Sequence, residues 1–151
     1  MAKLDKVVLF LVISFMTVCC GDSQNRIIIG GREYFIQADL YDRSGAASYC
    51  QSQGAQLIVF ETEKEQLDIT SYLYTFDYPY MRTYWTDGIR SQINLNMFIW
   101  ETSGVEIEQV LWAPKEPSES LDNCCAYFLP QDVKLVTGAD FFTHSVICEK
   151  Y

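Results

Sequence analysis

Residues 111–128, LWAPKEPSESLDNCCAYF, concentrate the side chains that could do chemistry. Pro114 and Pro117 fix the backbone and remove donors, so the stretch between Trp112 and the cysteine-aromatic run must be a shaped loop. It carries three acids, Glu116, Glu119 and Asp122, with Ser118 among them, against one base, Lys115. Oxygen donors on a loop clamped between core strands are what a hard cation or a polyol requires. Glu101, Glu106 and Glu108 add negative charge in the preceding loop, although exposed acids usually serve as solvated surface. His144 is the single histidine, and a lone histidine is more often structural than catalytic. No HExxH, GxSxG, P-loop or dinucleotide fingerprint is present, and no carboxyl is marked as a proton donor. These residues describe a binding protein rather than an enzyme.

The flanking pattern predicts the elements that hold this loop. Residues 22–33 form a short N-terminal lead ending in a Gly-Gly turn, and Glu33 to Leu40 reads as a first strand. Asp42 or Ser44 caps a first helix, whose inner side is Ala46, Ala47, Tyr49 and Cys50 and which Gly54 stops. Gln56 to Phe60 is a buried, strand-like run. Thr62 and Glu65 form a capping box for a second helix ending near Leu73, with Leu67, Ile69 or Thr70, and Leu73 inward. Tyr72, Tyr74, Phe76, Tyr78 and Tyr80 recur at every second position and predict an extended aromatic segment. Short strands follow at 84–90, 97–101, 110–112, 124–129, 133–136 and 145–150. Helices first and strands afterwards indicate an α+β domain with antiparallel pairing.

Bulk properties narrow the class. The 151 residues suit one domain. Lys3 and Lys6 precede an apolar run, Val7 to Val18, and then small or polar residues, so residues 1–21 read as a secretory signal peptide. Its removal changes the formal net charge from −9 to −10. Such acidity disfavours nucleic acid and anionic lipid and favours calcium or a basic partner. No later stretch is apolar enough to span a membrane. Cys50, Cys124, Cys125 and Cys148 remain after cleavage. In an oxidising compartment they could form two bridges, or one bridge with cysteine left over. Without an Asn-x-Ser/Thr sequon, N-glycosylation is not expected.

Several features in order carry a resemblance. Cys50 lies in the first helix, and YWTDGIR at 84–90 has an aromatic-Ile-Gly character. Phe98-Ile99-Trp100 precedes Ser103-Gly104. Trp112 leads to Glu116-Pro117-Ser118, then Asp122-Asn123-Cys124, and Ile147-Cys148-Glu149 closes the chain. Over residues 34–150 this resembles the C-type lectin-like domain, in particular the secreted single-domain lectins of invertebrates. The resemblance implies a Cys50–Cys148 bridge and a ligand site at Glu116, Ser118 and Asp122.

The chain also departs from that family's pattern. The partner expected for Cys124, eight positions before Cys148, is Asp140. Cys124 and Cys125 are then left reduced, joined to each other, or linked to another chain; strand alternation turns one inward and leaves the other available. Ser118 stands where the family has asparagine, and Leu135-Val136-Thr137 stands where it has Trp-Asn-Asp. With at most three protein ligands left, tight calcium binding is not expected, and no other cofactor is implied. Two functions follow. One is a secreted carbohydrate-binding lectin of innate immunity with a lost or weakened calcium site, mannose-like in preference if it uses the Glu116 remnant. The other is a calcium-independent protein-binding module, possible as a dimer or a disulfide-linked complex through Cys124 or Cys125.

Overall fold

Gly30 and Gly31 both adopt left-handed backbone, φ +59° and +84°, and form the two-residue turn of a hairpin. The hairpin joins β1 (Asn25–Ile29) to β2 (Arg32–Tyr41). The segment read as a lead is therefore a paired strand over its last residues. The computed structural model describes residues 25–76 and 82–150. The leader assigned to residues 1–21 lies outside them, as do Tyr78 and Tyr80.

Helix α1 (Arg43–Ser52) starts where Asp42 Oδ1 accepts from the Gly45 amide at 2.7 Å. It ends at Gly54, whose φ of +66° suits a residue without Cβ. After β3 (Gln56–Leu57), α2 (Glu63–Thr75) begins with Thr62 Oγ1 accepting from the Glu65 amide at 3.2 Å. Glu65 reaches back to the amide of Glu61, one residue earlier than a capping box predicts.

The helix continues through Tyr72 and Tyr74 to a cap at Phe76, which corrects the extended reading of these aromatics. Helical spacing wins because it buries Ile69 and Leu73 four residues apart and stacks Tyr72 on Phe76, centroids 4.4 Å apart. Leu67 faces solvent, and Gln66 takes the inner place expected of it, donating to the Leu111 carbonyl at 3.1 Å.

The remaining strands are β4 (Tyr84–Arg90), β5 (Phe98–Trp100), β6 (Cys125–Leu129), β7 (Lys134–Gly138) and β8 (His144–Glu149). Their order in the sheet is β1-β2-β8-β4-β6-β7, with β3 on β8 and β5 on β4. All these pairs are antiparallel except β4–β8, so the sheet is mixed rather than wholly antiparallel. Val110 to Trp112, expected as a strand, is instead a 3₁₀ turn at Gln109–Leu111 leading into Trp112. The Leu111 and Trp112 amides donate to the carbonyls of Glu108 and Gln109, three residues back, at 3.0 and 3.2 Å, so the backbone turns instead of extending.

Gly88 lets β4 and β6 approach closely. A Cβ there would lie 2.7 Å from Ala126 Cβ. One core cluster includes Phe60, Tyr84, Trp100, Trp112 and Phe128; the other holds Trp85, Cys125 and the disulfide. Cys50 and Cys148 are bonded, Cα atoms 5.4 Å apart, and tie α1 to β8. Among the described residues no helix is long and apolar enough to cross a membrane.

Candidate functional site

The loop between Trp112 and Cys124 rests on β7 and β4. The Ala113 amide donates to the Leu135 carbonyl at 2.9 Å, and the Glu116 amide turns back to Ala113 at 3.0 Å. Lys115 is left-handed, φ +70°, and the Glu116–Pro117 bond is cis. The bends bring the Glu116 carboxylate against Thr137 of β7.

Glu116 Oε2 there accepts three hydrogen bonds. They come from Thr137 Oγ1 at 2.6 Å, the Thr137 amide at 3.1 Å and the Ser118 amide at 3.0 Å. Thr137 Oγ1 in turn accepts from the Ser118 amide at 3.2 Å. Of the expected ligand set, the fold brings Glu116 and Ser118 together, with Thr137 as the third member. Asp122 stands exposed in the turn before Cys124.

This donor set does not fit calcium. The ion needs six to eight oxygens free to turn their lone pairs inward. Here one carboxylate oxygen already serves three protein donors, and Thr137 offers it a proton rather than a second carboxylate. Among the described residues no group of three or more His, Cys, Asp or Glu could hold a metal ion.

Arg90, a residue that sequence reading placed only at the end of a core strand, holds the rest of the loop. Its guanidinium donates to the carbonyls of Ser118 at 2.8 Å, Ser120 at 2.7 Å and Asn123 at 3.0 Å, and to that of Leu95. It also lies 4.6 Å above the Phe98 ring. A planar cation with several fixed donors is well suited to gathering carbonyls from two loops. Its positive charge beside Ser118 further disfavours a second cation at this place. The only hint in the sequence was an arginine ending the strand YWTDGIR.

Glu101 is also committed. Its carboxylate accepts from the buried Arg43 at 2.8 Å. Nearby Asp87 Oδ2 accepts from the Thr102 amide and hydroxyl at 2.9 and 2.8 Å. Burial raises the pKa of Asp87 against those hydrogen bonds.

Cys124 and Cys125 are free thiols. Cys125 is buried, and loss of hydration, with Cys124 beside it, pushes its pKa up and makes it a poor nucleophile. Cys124 is half-buried, its sulfur 4.0 Å from the Gly138 carbonyl. Asp140, in the missing partner's place, is exposed and its carbonyl accepts from the Arg43 amide at 3.0 Å. His144 is buried between Trp85 and Tyr127, ring centroids 4.5 and 4.3 Å away. Its position is structural.

The family model described as Lectin C-type domain matches residues 41–150. Comparison with curated proteins found no match. Among solved structures, a calcium-independent type II antifreeze protein superposes with a TM-score of 0.68 at 21% identity, over 83% of this chain and 90% of that one. TC14, a C-type lectin from the tunicate Polyandrocarpa misakiensis, gives 0.65 at 24% identity, over 80% and 98%. SPL-1, solved as a complex with GlcNAc, gives 0.71 at 20% identity, over 87% and 96%.

Proposed function

The chain belongs to the C-type lectin domain family, and from that footing we propose that it is a secreted carbohydrate-binding domain that recognises its ligand without calcium. One observation carries the calcium-free part: one oxygen of the Glu116 carboxylate, Oε2, already takes three hydrogen bonds from Thr137 and Ser118. The ligand class draws on SPL-1, which was solved with GlcNAc; the same fold occurs in a calcium-independent type II antifreeze protein. Binding rather than catalysis is the activity, and recognition of microbial glycans in innate immunity is the role. Secretion is supported by the leader pattern of residues 1–21 and by a buried disulfide of the kind that persists in oxidising compartments.

A glycan array probed with calcium and with chelator tests the proposal. Equal binding in both conditions is expected. Binding lost with chelator overturns the calcium-free part, and no binding to any glycan overturns the lectin reading.

The half-exposed thiol of Cys124 favours a second reading, a calcium-independent protein-binding module joined covalently to a partner or a second copy. A band of higher mass on non-reducing gels that collapses on reduction is its expected signature. A monomer under both conditions removes the covalent form.

A further inference from the structure

Glu116, Ser118 and Thr137 take no part in a separate cavity of about 350 Å³. It lies between the segment leading to α2, the turn after β5 and the end of β8. Its floor is apolar: Phe60, Trp100 and Leu111 are each no more than 4% exposed. Its charged lining is Glu61, Glu106, Glu108 and Glu149, with no lysine or arginine among the lining residues; Glu61 is already paired with Arg32 at 2.9 Å, which leaves the other three.

The hydrogen-bonded turn presents these acids in a fixed way. The Trp100 amide donates to Val105 and the Ile107 amide to Phe98, both at 2.9 Å. Ile107 is buried, so its neighbours Glu106 and Glu108 project to the other face together. No ion pair among the described residues involves either of them. Glu149 is buried at the back of the cavity, accepting from the Val59 amide and the Gln56 side chain. Gln56 Oε1, on the same wall, is a buried acceptor that meets no donor.

An apolar floor under acceptors of one charge calls for a ligand with a greasy stem and a cationic, donor-only tip. A protonated lysine side chain has that form: four methylenes and an ammonium with three donors. Arginine carries the same charge on a longer, planar head that these carboxylates also accept, so lysine is chosen for its compact tip rather than for its charge. The negative charge of the whole chain also draws basic surfaces towards it.

We propose that this cavity is a docking site for a lysine side chain displayed by a basic protein partner, separate from the loop around Glu116. The stem lies over Phe60, Trp100 and Leu111, and the ammonium sits among Glu106, Glu108 and Glu149.

The test is an NMR titration of the isotopically labelled protein with Nα-acetyl-lysine methylamide and with its neutral counterpart, Nα-acetyl-norleucine methylamide. Saturable shifts at the Trp100 indole and the 105–108 amides are expected with the lysine probe and not with norleucine. Both acids at the rim are exposed, so Glu106→Gln with Glu108→Gln keeps the fold and weakens lysine binding roughly tenfold. Equal binding of the norleucine probe, unchanged affinity in the double variant, or no saturable shift overturns the proposal. None of these outcomes depends on whether the domain binds a glycan.

Discussion

Thr137 is the residue on which the calcium-free reading turns. It donates to Glu116 through both amide and hydroxyl, so Thr137→Val removes the shorter of the two bonds and leaves the other. A loss of about 1–2 kcal/mol in urea unfolding is expected, because an acceptor loses a charge-assisted partner in a half-buried place. His144 sets a pH response of different origin. Burial lowers its pKa from 6.5 to about 4, and its Nε2 meets no partner to receive a second N–H. The unfolded chain binds that proton at higher pH than the folded one, so stability falls as pH drops from 6.5 towards 4. Asp87 and Glu149 act the other way, because burial raises their pKa values and the folded state holds those protons more tightly. His144→Gln should flatten the fall in melting temperature between pH 7 and pH 5, and the difference between the variant and the parent isolates the histidine response from that of the two acids.

The loop and β4 form the element that matters most to the site. Arg90 reaches four carbonyls from a single strand end, and of these the Ser120 carbonyl keeps a second donor, the Asn123 amide at 3.1 Å, once Arg90 is removed. Arg90→Ala should therefore speed amide exchange through 118–123 while α1 and α2 stay protected. A global loss of roughly 3 kcal/mol accompanies it if the carbonyls stay dry. The loop was legible in the sequence because prolines and polar residues leave no other reading. Its anchor was not, because Arg90 acts across 28 to 33 residues of chain. The aromatics of 72–76 show the reverse failure. Their spacing by two was visible, but Thr62 starts a helix upstream that continues through them.

At the scale of the whole molecule, the disulfide closes the domain by joining residues 98 positions apart. Chain-entropy estimates place its contribution at about 4–5 kcal/mol for a loop of that size. Cys50→Ala should lower the urea midpoint far more than Thr137→Val does. Calcium, by contrast, should add nothing measurable at the Glu116 loop. Melting curves in excess calcium and in chelator are expected to overlay, and a clear upward shift with calcium would place an ion where the geometry leaves no room for one.

The sequence alone carried the ordered landmarks of the domain, from Cys50 through Trp112 and Glu116-Pro117 to Ile147-Cys148-Glu149. Residue type and order are enough for a family pattern, and the match at 41–150 agrees with it. It also showed that Ser118 and Thr137 are poor replacements for metal ligands. Only the tertiary structure decided what those residues do instead. Pairing β6 with β7 sets Thr137 across from Ala126, and the bent loop then lowers Glu116 onto its hydroxyl. The cavity beneath Glu106 and Glu108 was hidden for the same reason. Its floor comes from Phe60, Trp100 and Leu111, and chain order gives no sign that residues so far apart share one surface.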